Sequence, residues 1–127
     1  MSTFFDPRRG LVMITVRFWG PTGDRTADLA LDTGATASMI SASLLVDAGY
    51  DPASATDRVL MTTASGTEYV ARLPVDRIRA LEQERQGFPI LAHILPPSAR
   101  MDGVLGLDFL RGQRLTVDFR AGEITLV

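Results

Sequence analysis

The sequence contains no cysteine, no lysine among its 13 basic residues, and a single histidine. Without cysteine, the chain cannot form disulfides, use a thiolate nucleophile or build a cysteine-based zinc site. A net charge of −2 argues against a nucleic acid or an anionic membrane as a partner, because both attract a basic surface. From the charge we expect neither nucleic acid nor a membrane as a partner. We also expect no metal and no cofactor.

Long apolar runs are also missing, so no segment is expected to cross a bilayer. The first ten residues lack the apolar core of a signal peptide. A length of 127 residues suits one domain with a substantial core. These features predict a cytoplasmic protein with an N-terminal tail (residues 1–10) and one domain (residues 11–127). A domain cut from a larger precursor would show the same features.

Most of the chain consists of short segments typical of β-strands, separated by turns that contain Gly or Pro. In the first strand, residues 11–19, apolar side chains such as Ile14, Val16 and Phe18 alternate with Thr15 and Arg17. Such a pattern predicts an all-β barrel or sandwich. Further strands are predicted at residues 26–31, 38–40, 59–63, 67–73, 88–95, 115–119 and 123–126.

Two short helices are expected among these strands. One spans Ser41 to Gly49, with a serine cap and a glycine stop, and the other begins at Leu107. Residues 75–87 are ambiguous, since good helix formers fill a segment that lies between Pro74 and an apolar strand. We predict a strand, a turn and a strand there, with Glu82–Gly87 as the turn.

An acid follows the apolar run Leu29–Leu31 directly: the next residues are Asp32, Thr33, Gly34 and Ala35. Burying a carboxylate at a strand end is costly without compensating neighbours, which favours a role in chemistry over a role in solubility. The small residues after it let backbone N–H groups approach the carboxylate or a ligand. The alternative is an acid in an ordinary β-turn, where Asp-x-Gly is common.

Two more features complete a pattern. The predicted hairpin at residues 59–73 has the tip Ala64-Ser65-Gly66, and Val104-Leu105-Gly106 leads into the second short helix. In this order the three features resemble the retropepsin-like family of single-domain aspartic proteases, and residues 102–110 are most similar to its bacterial members. The resemblance covers about residues 11–127 and implies a closed or partly open β-barrel with one or two short helices.

The resemblance also implies roles for individual residues. Asp32 would be the catalytic acid and base, Thr33 would hydrogen-bond across a dimer axis, and Gly34 would turn its N–H toward the carboxylates. Substrate contacts would come from Ala35 and from a flap formed by Ala64, Ser65 and Gly66. Structural support behind the catalytic residues would come from Val104, Leu105 and Gly106.

The chemistry of such an enzyme requires two carboxylates, one to deprotonate a water and one to protonate the scissile carbonyl. Two Asp side chains ~3 Å apart share one proton and so supply both roles. Because this chain has one Asp-Thr-Gly, a second copy must supply the other Asp, and the hypothesis is a homodimeric aspartic endopeptidase acting on polypeptides. The alternative is a catalytically silent module of the same fold that binds peptides or dimerises.

The sequence departs from the viral members of this family. Those enzymes commonly have acids soon after the catalytic turn and an Arg after the apolar-apolar-Gly motif, whereas this chain has Thr36-Ala37 and Leu107-Asp108. The corresponding ion pair is therefore absent. Viral chain ends also interleave in the dimer, and the hairpin at residues 115–127 could do the same or pair differently. The lone His93 has no partner cluster in the sequence, which favours a structural role.

Overall fold

The computed structural model describes residues 2–96 and 98–127. In that part of the chain it contains ten strands, two short α-helices and one 3-10 turn at Pro52–Ser54. The helices are α1 (Ala42–Asp47) and α2 (Leu107–Leu110). The strands are β1 (Thr3–Phe4), β2 (Met13–Gly20), β3 (Gly23–Leu31), β4 (Met39–Ser41), β5 (Arg58–Thr63), β6 (Gly66–Ala80), β7 (Gln83–His93), β8 (Gly103–Leu105), β9 (Leu115–Asp118) and β10 (Glu123–Leu126).

Six strands form a closed barrel in the order β2-β3-β8-β4-β7-β6, and pairing of β2 with β6 closes it. Strand β5 is added outside the barrel and pairs with β6 as a hairpin. The all-β prediction with a closed barrel and two short helices is thereby confirmed. None of the helices in residues 2–96 and 98–127 is long and apolar enough to cross a membrane.

The alternating pattern of the sequence determines which side chains fill the barrel. In β2, Ile14, Val16 and Phe18 are buried, whereas Thr15 and Arg17 between them are exposed. Side chains of successive strand residues point to opposite faces, so one face of β2 packs inward along its whole length. This confirms the alternation predicted for the first strand.

Helix α1 begins where the sequence indicates. The Ser41 side chain accepts a hydrogen bond from the Leu44 N–H at 3.4 Å, as expected of an N-cap. Leu45 anchors the helix in the core and is fully buried. The predicted serine cap is therefore confirmed.

The turn predicted at Glu82–Gly87 is wrong, although the strand-turn-strand interpretation of this segment is confirmed. Strand β6 continues to Ala80, and the connection to β7 consists of Leu81 and Glu82 alone, with φ values of 52° and 65°. Two-residue turns with positive φ usually carry Asn, Asp or Gly, so Leu-Glu gives no signal in the sequence. Leu81 is buried, and this burial opposes the backbone cost of its conformation.

The two ends of the chain pair with each other within one molecule. Strand β1 lies next to β10, with Thr3 opposite Ile124, and β10 also pairs with β9. Phe5 follows β1, is 9% exposed, and its ring meets the edge of Phe119 at a centroid distance of 5.8 Å. Thr3 and Phe4 of the predicted tail thus belong to a three-stranded sheet whose strands all come from one chain.

Candidate active site

Asp32 stands at the point where β3 leaves the barrel. Leu31 lies opposite Leu105 in the parallel pairing of β3 with β8, and the Asp32 N–H donates to the Leu105 carbonyl oxygen at 3.0 Å. We call residues 32–38, which connect β3 to β4, the Asp32 loop. The hydrogen bond extends the ladder by one step, so the backbone of Asp32 is fixed by the barrel itself.

The first residues of the loop form a tight turn around the carboxylate. The Gly34 N–H donates to Asp32 Oδ1 at 2.8 Å, and the Ala35 N–H donates to the Asp32 carbonyl oxygen at 3.2 Å. Asp32 is half-buried, whereas Thr33 and Gly34 are exposed. The turn therefore orients the carboxylate with a backbone donor and presents the next two residues on the surface.

Gly106 lies directly against the other side of this loop. A Cβ at this position would lie 2.7 Å from the Ala35 carbonyl oxygen and 2.9 Å from that of Ala37. The neighbouring Leu107 N–H donates to the same Ala35 oxygen at 2.8 Å. Only glycine permits this approach, because the obstructing atoms belong to the backbone and cannot rotate away.

The two residues before Gly106 occupy strand β8. Leu105 is fully buried in the core, and Val104 is half-buried between Ala30 of β3 and Met39 of β4. All three residues predicted as support of the site thus lie beside the strands that carry the loop, or against the loop itself.

The far end of the loop is held by a pair that the sequence analysis missed. Ser38 is fully buried, and its hydroxyl donates to Asp108 Oδ1 at 2.6 Å while its N–H donates to Asp108 Oδ2 at 2.9 Å. The Gly106 N–H donates to Ser38 Oγ at 2.9 Å. The available signals were a hydroxyl six residues after Asp32 and an acid two residues after Gly106, and we interpreted the acid only as the absence of a viral ion pair.

The predicted hairpin tip is exposed. Ala64 and Ser65 connect β5 to β6, and Gly66, the first residue of β6, has a φ of 133°. At the stem of the hairpin, Arg72 Nε donates to Asp57 Oδ2 at 2.8 Å. By accepting this hydrogen bond, the Asp57 carboxylate raises the pKa of Arg72.

The family model described as "Aspartyl protease" matches residues 14–109, three quarters of the chain. The chain belongs to the aspartyl protease family. Among solved structures, the crystal structure of a retropepsin-like aspartic protease from Rickettsia conorii superimposes with a TM-score of 0.71 and 15% sequence identity. The match covers 99% of this chain and 88% of that one, so the two share a fold. No curated protein matches the sequence.

In this aspartyl protease family member, the single histidine lies at the end of β7 and not in the Asp32 loop. His93 Nδ1 is 3.6 Å from Glu68 Oε1. Both side chains line a cavity of about 380 Å³ between α1, the 3-10 turn and the hairpin stem, and Asp32, Thr33 and Gly34 are not among its lining residues. Exposed Tyr69 and Ile94 also border this cavity.

Proposed function

We propose that the chain is an aspartic endopeptidase in which Asp32 activates a water that attacks a peptide bond. One carboxylate would take a proton from the water as its oxygen bonds to the carbonyl carbon, and a second would protonate the carbonyl oxygen. The first carboxyl would then give its proton to the amide nitrogen while the second carboxylate takes a proton from a hydroxyl of the tetrahedral intermediate, and the C–N bond would break to release an amine and a carboxylic acid. The observation that carries the proposal is the orientation of the Asp32 carboxylate by the Gly34 N–H at 2.8 Å in a member of the aspartyl protease family.

A single Asp32 loop supplies one carboxylate, since Asp32 is its only acid. We infer that the active form is a homodimer with Asp32 of both protomers at the two-fold axis, because a two-fold interface places the same surface of each copy together. The exposure of Thr33 and Gly34 supports this arrangement, since both are free to be covered by a second copy. Thr33 would then hydrogen-bond across the axis and hold the two loops in place.

The substrate would be an extended polypeptide bound between the Asp32 loop and the β5–β6 hairpin. Ala35 would contact it from the loop, and Ala64, Ser65 and Gly66 would close over it as a flap, excluding water and ordering the peptide. An extended chain can bind by adding a strand, with its side chains alternating between pockets. Small residues at the tip would allow close backbone approach.

The test compares Asp32→Asn with Asp28→Asn, which makes the same change four residues earlier at an exposed position of strand β3. On a fluorogenic peptide library at mildly acidic pH, Asp32→Asn should lower cleavage by about 10²- to 10⁴-fold, the usual contribution of a positioned acid or base. Asp28→Asn should cleave like the unchanged protein. Full cleavage by Asp32→Asn would refute the proposal.

The alternative, a silent module that dimerises or binds peptides, predicts no cleavage that depends on Asp32 but retained binding of a labelled peptide. Sedimentation across a concentration series tests the dimer independently. The cleavage rate per chain should fall as dilution produces monomer, since each monomer carries half of the site. A fully active monomer would contradict the shared site.

A further inference from the structure

We propose that Ser38 and Asp108 form a positioning pair that fixes the Asp32 carboxylate for catalysis. The inference rests on the proposed protease function and deepens it. Neither residue would touch the substrate. Both would act through the Asp32 loop, whose last residue is Ser38 and which must hold its carboxylate in one place.

The directions of the hydrogen bonds in this pair follow from its chemistry. The Gly106 N–H donates to Ser38 Oγ at 2.9 Å, so that oxygen uses its own proton in the 2.6 Å bond to Asp108 Oδ1. A carboxylate accepts and does not donate, and the second oxygen of Asp108 accepts the Ser38 N–H at 2.9 Å. The polar atoms of the Ser38 side chain and N–H are therefore all satisfied inside a fully buried site.

The same short segment, residues 105–108, holds the loop at three successive places. Leu105 accepts the Asp32 N–H, Leu107 donates to the Ala35 carbonyl oxygen, and Asp108 binds Ser38. Because all three contacts share one rigid support, a shift of Ser38 would be transmitted to the turn that carries Asp32. A displacement of ~1 Å at a reacting group can cost about 10²-fold in rate.

An amide at position 108 can satisfy only part of this arrangement. The asparagine oxygen can accept the Ser38 N–H and its NH₂ can donate to Ser38 Oγ, but the Ser38 hydroxyl proton then loses the acceptor that Asp108 Oδ1 provides. A buried donor without an acceptor is unfavourable, and the loop would move to relieve it. Asp108→Asn is therefore the informative change, since it removes the charge and one acceptor while keeping the shape.

The matched control is Asp118→Asn. Asp118 also accepts two backbone N–H bonds, from Arg120 and Ala121 at 2.9 Å each, but it stands at the turn between β9 and β10. Both variants lose one negative charge, but both N–H groups donate to Oδ1 of Asp118, and asparagine keeps that acceptor. An effect of the lost charge alone would therefore lower kcat alike in the two variants.

The experiment measures steady-state cleavage and amide hydrogen exchange in the full-length chain. Asp108→Asn should lower kcat by about 10- to 100-fold with KM changed less than about threefold, since positioning acts on the transition state rather than on binding. The Ala35 and Gly106 amides should exchange faster in this variant and not in Asp118→Asn. In the double variant with Ser38→Ala, kcat should fall by less than the product of the two single losses, because both changes remove the bond between Ser38 Oγ and Asp108 Oδ1.

An unchanged kcat in Asp108→Asn, or equal losses in both Asp→Asn variants, would overturn the proposal. If Asp108→Asn fails to fold, Ser38→Ala decides by the same measurements. If the unchanged protein shows no cleavage that depends on Asp32, the protease proposal is refuted, but the proposal about the pair is not yet decided. In that case, exchange at Ala35 and Gly106 still tests the pair, and unaltered exchange in Asp108→Asn would refute it.

Discussion

The Asp32 loop and the β5–β6 hairpin are built in opposite ways, although both are proposed to contact one substrate. The loop is held against residues 105–108 by backbone and buried side-chain hydrogen bonds, and its last residue, Ser38, is inaccessible to solvent. The hairpin is exposed over residues 64–69, and an ion pair between exposed Asp57 and Arg72 joins its stem.

This difference shows what each task requires. A group that moves protons must keep its position to within a fraction of an ångström, so its support is dense, buried and made of groups that cannot rotate. An element that must admit and cover a long peptide needs room, and surface contacts are easily broken and remade. Substitutions in the loop should therefore change kcat, and substitutions in the hairpin should change KM.

Apart from replacement of Asp32 itself, the largest effect is expected from Gly106→Ala. The added Cβ would meet the Ala35 and Ala37 carbonyl oxygens at 2.7 and 2.9 Å, so the loop must shift. Overpacking of this kind costs about 1–3 kcal/mol. We expect kcat to fall by about 10²-fold as Asp32 is displaced. Gly10→Ala is the control, since a Cβ there meets nothing within 4 Å. Normal kcat in Gly106→Ala would contradict the rigid-support interpretation.

A smaller effect is expected from Gly66→Ala in the hairpin. Space is available for the Cβ, but the φ of 133° is unfavourable for alanine and costs about 1–3 kcal/mol. KM should rise by up to about tenfold, equivalent to 1.4 kcal/mol, with kcat nearly unchanged. Gly112→Ala makes the same kind of change at an exposed turn away from the hairpin, with a φ of 79°. If both variants raised KM equally, the hairpin would have no special part in binding.

The smallest effect, and one on stability alone, is expected from Tyr50→Phe outside both regions. The Tyr50 hydroxyl donates to the Trp19 carbonyl oxygen at 2.6 Å and accepts the Asp76 N–H at 2.8 Å. Losing these bonds should lower the free energy of unfolding by about 1–2 kcal/mol at pH 7. Neither kcat nor KM should change by more than the loss of folded protein explains.

The same substitution should alter the pH dependence of stability. Burial raises the pKa of Tyr50 in the folded chain, so its contribution is complete below the ordinary tyrosine pKa of about 10 and is lost as the pH rises through the raised value. Because the chain has no lysine and two tyrosines, few side chains lose a proton at alkaline pH. Urea unfolding over a series of alkaline pH values can therefore isolate the loss of stability that Tyr50 causes. Tyr50→Phe should reduce it, whereas Tyr69→Phe, which changes a 69% exposed residue, should not.

Local patterns in the sequence predicted much of this fold correctly. The alternation around Ile14, Val16 and Phe18 and the serine cap of α1 depend on neighbours a few residues apart, and the structure confirms both. The prediction of the turn after β6 failed because that turn does not depend on local patterns. Leu81 and Glu82 adopt positive φ because the paired strands on either side and the burial of Leu81 require it, and nothing local indicates this.

The sequence by itself determined that an apolar strand ends in one acid followed by small residues, and that this Asp-Thr-Gly occurs once in the chain. Such features depend only on residues that are adjacent in the sequence. Only the tertiary structure decided what holds that acid in place, because Ser38 and Asp108 are 70 residues apart and meet only when β3, β8 and β4 are side by side. Hydrogen bonds between distant segments leave no periodic trace in a sequence. The barrel determines which hydroxyl and which carboxylate meet.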